Sequence, residues 1–149
     1  MNTEKSIDIL NSLVQINNDR IEGYETASKE ADETDLKTLF SHFTETSLKC
    51  KSDLVAEVKR LGGTPTEGTT TSGKLFRVWM DIKSAMTGSD RKAIINSCEY
   101  GEEAALETYD DALNHAEDLS SEQLMMIKEQ HAAIKANHQQ IKDLGNHMT

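Results

Sequence analysis

Leu124, Ile127, His131, Ile134, His138 and Ile141 recur at alternating intervals of three and four residues. Residues so spaced lie along one face of an α-helix, the face that packs against neighbours. The alternation recurs through most of the chain. Ile7, Leu10, Val14, Asn17, Ile21, Tyr24, Ser28 and Ala31 mark a helix from about Lys5 to Ala31. Leu36, Phe40, Phe43, Ser47, Cys50, Leu54 and Leu61 mark a second, capped near Thr34 or Asp35 and stopped by Gly62-Gly63. Ile95, Cys98, Glu102, Ala105, Tyr109 and Ala112 define a third over about Arg91 to Ala116, and the last helix starts after a Ser120 cap and ends at Gly145.

These four amphipathic segments predict an all-α protein, and one proline in 149 residues leaves their interiors unbroken. The length suits a single domain spanning 1–149. Gly62 to Ser72, with Pro65, Gly68 and a Thr-Ser run, has no apolar period and reads as an exposed loop. Leu75, Val78, Trp79, Ile82 and Met86 then mark a short amphipathic helix over about Lys74 to Met86. Short turns join the long helices in pairs. Two antiparallel hairpins, linked by a long crossover that contains a short fifth helix, make the four-helix bundle of ferritin-like topology. At about 1.5 Å per helical and 3.3 Å per extended residue, the crossover can run the length of the bundle.

A formal charge of −10 with no basic stripe argues against nucleic acid and against anionic membrane surfaces. No apolar run approaches the ~18 residues needed to span a bilayer, and the first ten residues are too polar for a secretory signal, so a soluble, cytoplasmic protein is expected. Cys50 and Cys98 are too few for a zinc motif and fall on apolar stripes, as buried free thiols do. The chain has no phosphate loop, nucleophile elbow, His-Glu-x-x-His or Cys-x-x-Cys, so enzyme chemistry has little support.

What remains is polar residues inside apolar stripes. Pairing residues equidistant from each turn sets Asn17 near Cys50, His131 near Glu102 and Ala105, and His138 near Cys98. A polar layer of Asn17, Ser47, Cys50, Cys98, Glu102 and His131, extending to His138, is therefore expected at mid-bundle. Tyr24-Glu25-Thr26-Ala27 echoes Tyr109-Asp110-Asp111-Ala112, and in that register Asn17 coincides with Glu102. Buried Glu and His residues must share protons and hydrogen bonds or bind a metal. One reading is two satisfied core histidines. The other is a single divalent ion, zinc or iron, held by Glu102, His131 and His138.

Asp19-Arg20 reads as a surface or interhelical ion pair, and the run Glu99, Glu102, Glu103, Glu107, Asp110, Asp111 as a solvated face with only Glu102 on the seam. His115, in the last turn of its helix, suits the helix dipole. Phe76, Trp79 and Met80 either seal the open edge of the bundle or form the interface of a homodimer.

The elements Leu10-Asn11-Ser12-Leu13, Asn17-Asn18-Asp19-Arg20, Gly23-Tyr24, Leu61-Gly62-Gly63-Thr64-Pro65, Trp79-Met80 and Gly101-Glu102, with the ending Ile134, His138, Ile141, carry a family resemblance. The chain resembles uncharacterised bacterial ferritin-like four-helix-bundle proteins over nearly its whole length. The resemblance implies a fold without an established activity. Di-iron proteins of this topology take one Glu from each of two helices and a Glu-x-x-His pair from each of the others. Here Lys128 and Lys135 stand three residues before His131 and His138, His42 precedes Glu45 in reversed order, and Asn17 stands where a ligand Glu is wanted. The family also commonly has His-Arg ahead of the Trp, where this chain has Phe76-Arg77. A structural or interaction role with a degenerate di-iron site is the leading expectation, and a metal-binding or redox protein with one central ion is the alternative.

Overall fold

A computed structural model describes residues 3–68, 80, 81, 84 and 91–146. Among them, the long elements are α1 (Thr3–Glu30), α2 (Thr34–Arg60), α3 (Arg91–Leu113) and α4 (Ser121–Asn146), with a single 3-10 turn at Ala116–Asp118. The all-helical class and the four helix positions agree with the stripes. The short helix expected over residues 74–86 lies largely outside the described residues, Phe76 and Trp79 with it. Residues 80, 81 and 84 are helical, and Met80 is 47% exposed.

Local chemistry sets the helix ends. Ser120 and Gln123 form a reciprocal cap: the Gln123 N–H donates to Ser120 Oγ, and the Ser120 N–H donates to Gln123 Oε1. α2 starts differently from the expectation of a Thr34 or Asp35 cap. Glu33 occupies the N-cap without a side-chain bond, and Asp35 Oδ1 accepts from the Leu36 N–H. At the other end of α2 the Gly62 N–H donates to Lys59 O and the Gly63 N–H to Val58 O. Gly62 takes φ +86 in this closure, a region that L side chains rarely adopt. Gly63 is required for space, because a Cβ there would sit 2.9 Å from Ile7 Cγ2.

α1 packs against α2 and α3 against α4, and the hairpins meet as α1 on α3 and α2 on α4. Gly63 reaches Ile7 at one end of α1, whereas Arg91 pairs with Glu33 and Asp35 beside the α1–α2 turn. The crossover therefore begins at one end of the bundle and delivers α3 to the other, so α3 runs antiparallel to α1. Ser6 bonding the Asp118 carbonyl at the opposite end agrees. Asn11 and Asn18 fasten the start of the crossover along α1. Asn11 Nδ2 donates to Thr64 O and Asn11 Oδ1 accepts from the Thr66 N–H, while Asn18 Nδ2 donates to Gly68 O at 2.9 Å.

Two apolar clusters fill the ends of the core. Tyr24, Leu36, Phe40, Phe43, Ile95 and Ile141 gather at one end, and Leu10, Leu13, Leu54, Ile127 and Ile134 toward the other. Tyr24 stacks on Phe40 and meets Phe43 edge-on, with ring centroids 5.7 and 5.1 Å away.

Candidate functional site

The polar residues lie between these clusters. In α1 the buried row is Leu10, Leu13, Asn17, Arg20, Tyr24 and Ala27, so Arg20 and not Ile21 takes the seam after Asn17. Both choices satisfy helical spacing, since Arg20 is three residues and Ile21 four residues beyond Asn17. Hydropathy favours Ile21. The structure buries Arg20 completely because Glu102, also fully buried, faces it from α3.

The pair is a two-point fork. Arg20 Nε donates to Glu102 Oε2 at 2.9 Å and Nη2 to Oε1 at 2.6 Å, while Nη1 donates to Ser47 Oγ at 2.5 Å. The guanidinium also lies 5.4 Å from the centre of the Tyr24 ring. Burial pulls the Arg20 pKa down, but the charge and hydrogen bonds of Glu102 outweigh it, and the net direction is up. Arg20 is therefore a permanent cation inside the bundle.

A second network runs beside the ion pair. Asn17 Nδ2 donates to Tyr109 Oη at 2.9 Å and to Leu13 O, and the Tyr109 hydroxyl donates to Gln130 Oε1 at 2.7 Å. Gln130 Nε2 closes the chain on Cys50 O at 3.3 Å. Burial pushes both Tyr24 and Tyr109 well above the ordinary phenol range. The charge of Glu102 adds to the shift at Tyr24, and a neighbouring Cys50 adds to it at Tyr109. The sequence echo acquires a spatial counterpart: Tyr109 of α3 meets Asn17 of α1, and Tyr24 of α1 is coupled to Glu102 of α3.

The histidines do not join this layer. The buried row of α4 is Gln123, Ile127, Gln130, Ile134, Asn137 and Ile141. Ile127, Ile134 and Ile141 hold the seam as the stripe requires, but the positions between them belong to Gln130 and Asn137, one residue earlier than His131 and His138. The imidazoles flank the core. His131, 23% exposed, has Nε2 2.9 Å from Asp110 Oδ1, and His138, 17% exposed, has Nε2 3.8 Å from Glu103 Oε1. Glu102, His131 and His138 thus occupy three separate environments. Asp110 opposite His131 and Glu103 opposite His138 also mean that the chain reverses near Ser120, later than equidistant pairing assumes. The 3-10 turn Ala116–Asp118 extends the first arm before the reversal.

Asn17, Ser47, Cys50 and Cys98 are all buried. Both cysteines are free thiols, and burial pushes both above the usual thiol range. Between α2 and α4 a groove of about 190 Å³ opens over Cys50, Met126, Gln130 and Ala133. Among the described residues, the donors that converge as a metal site would need are Glu99, Glu103 and His138, with one ligand atom from each lying within 4.8 Å of the others. Glu99 and Glu103 belong to the carboxylate run whose sequence pattern predicts a solvated face. Their i, i+4 spacing opposite a histidine was the signal that could have singled them out.

Residues 5–115 match the family described as Domain of unknown function (DUF2383), a match that includes α1, α2, the crossover and α3. No curated protein matches the chain.

Proposed function

The chain belongs to the DUF2383 family, and from that premise we propose a structural or interaction protein: a ferritin-like bundle whose internal cation is a guanidinium in place of a metal. The observation that carries this reading is the fork between Arg20 and Glu102, which engages both carboxylate oxygens at the bundle centre. Two antiparallel hairpins joined by an end-to-end crossover support the ferritin-like assignment.

The donors around the centre do not fit a di-iron cluster. Glu102 already spends both carboxylate oxygens on Arg20, and Asn17, Tyr109 and Gln130 are neutral and bonded to one another. Carboxylates that bridge and neutralise iron cannot be replaced by amides and a fixed positive charge. A single domain over 1–149, a bacterial cytoplasmic setting and a homodimer through the Phe76–Met80 stretch complete the proposal and rest on the sequence. Among the described residues, no helix is long and apolar enough to cross a membrane.

The test uses untagged, metal-stripped protein carrying His138→Ala, so that the Glu99–Glu103–His138 group does not contribute. Iron(II) is added without oxygen, then air is admitted. The expected result is no oxygen uptake above buffer and no iron retained through gel filtration. Stoichiometric retained iron would overturn the reading.

A further inference from the structure

Glu99 and Glu103 stand one turn apart on α3, and His138 meets them from α4. One ligand atom from each lies within 4.8 Å of the others. A second observation points the same way. His138 Nε2 is a buried atom without a hydrogen-bond partner, and its 3.8 Å separation from Glu103 Oε1 is too long to be one. Buried polar atoms are nearly always satisfied, so an imidazole nitrogen without a hydrogen bond beside carboxylates is short of something that accepts its lone pair or its proton.

We propose that Glu99, Glu103 and His138 form a divalent-metal site on the α3–α4 face, separate from the Arg20–Glu102 core, and that zinc is its ion. Carboxylate oxygen and imidazole nitrogen are both zinc ligands, and three protein ligands leave the ion a fourth position for water. Zinc bonds of about 2.0–2.2 Å place tetrahedral donors roughly 3.3–3.6 Å apart, so the donor separations have at most about 1.5 Å to close. The half-exposed glutamate side chains can move that far. Two carboxylates neutralise the ion, and the −10 charge of the chain favours cation capture. Because the ligands come from both helices, the ion staples the second hairpin, and binding raises the stability of the folded state.

Untagged, metal-stripped protein is titrated with zinc chloride by calorimetry, and its melting temperature is read with and without the ion. We expect one zinc per chain and a raised melting temperature. Glu103→Gln, Glu99→Gln and His138→Ala should each weaken binding at least tenfold, and His131→Ala should leave it unchanged. Glu103 is mostly exposed, so its variant retains the fold and gives a clean reading. Failure of the wild-type chain to bind one zinc saturably, or equal affinity in Glu103→Gln and His138→Ala, would overturn the proposal.

Discussion

Replacing Glu102 with Gln removes one charge and keeps the shape of the side chain, leaving Arg20 as an unpaired cation in a fully buried site. Deprotonation offers no ready escape, because a guanidinium keeps its proton inside proteins even without an anionic partner. Ser47 Oγ still accepts one bond and the Gln carbonyl oxygen can accept one of the two made at 2.9 and 2.6 Å, but its NH2 sets a donor against the other guanidinium N–H and that bond is lost. Breaking one side of a buried pair is destabilising by about 3–5 kcal/mol. For a chain of this size that lowers the melting temperature by roughly 6–20 °C, at about 2–4 °C per kcal/mol. Urea unfolding followed by circular dichroism measures the difference, with an unchanged slope showing that the unfolded state is not the cause. The apolar double variant Arg20→Met with Glu102→Leu removes both charges and should lie within a few kcal/mol of wild type on either side. A loss below about 1 kcal/mol for Glu102→Gln would refute the claim that Arg20 is an obligate, uncompensated cation.

Three further outcomes follow from the geometry. Arg91 holds the Asp35 carboxyl below its ordinary value of 3.8, chiefly by hydrogen bonding and opposed by slight desolvation, so this pair stabilises the fold above that pH and the contribution fades as pH falls through the depressed value. Because Asp35 is mostly exposed, the effect is a few tenths of a kcal/mol, and Asp35→Asn should flatten the acid limb of the stability curve below pH ~4 and lose its effect in 1 M salt. Burial raises the Cys98 thiol, so a thiol reagent at pH 8 should label it only on unfolding, and labelling of native protein within minutes would contradict its placement. Asn18→Ala deletes the bond to Gly68 O and should speed proteolysis around residues 64–68 by about 2–10-fold, the population change expected from about 0.5–1.5 kcal/mol; unchanged cleavage would show that Asn11 alone fastens the crossover.

The helices, several of their ends and which helices pair were legible because stripes, caps and glycines act locally. Ser120 with Gln123, and Gly62 with Gly63, each fix a terminus by bonds within a few residues. The seam was legible only where it is apolar. Ile127, Ile134 and Ile141 leave two helical positions between each pair, and which polar residue turns inward depends on what waits across the interface. Tyr109 offers a hydroxyl to Gln130, whereas His131 has only the half-exposed Asp110. Arg20 was hidden for the same reason. A guanidinium belongs outside unless a buried carboxylate answers it, and Glu102 is 82 residues away in sequence. The echo between Tyr24 and Tyr109 carried long-range information that hydropathy and charge did not, because it makes equivalent the two contacts that cross from α1 to α3, Asn17 with Tyr109 and Tyr24 with Glu102.

The ion pair also specifies register, which is separable from stability. Sliding α1 by one turn, about 5.4 Å along α3, sets Arg20 against Cys98 or Leu106, neither of which can neutralise it. The apolar clusters at the two ends discriminate far less, since Leu, Ile and Phe pack acceptably in several arrangements. The Arg20→Met with Glu102→Leu variant tests this directly, because it keeps the volume and discards the direction. Its amide NMR spectrum should show broadened or doubled resonances for α1 and α3 at an unfolding free energy within a few kcal/mol of wild type. One sharp set of peaks, with the Asn17–Tyr109 contact intact, would assign register to the Asn17–Tyr109–Gln130 chain and leave the ion pair as a charge that the fold tolerates.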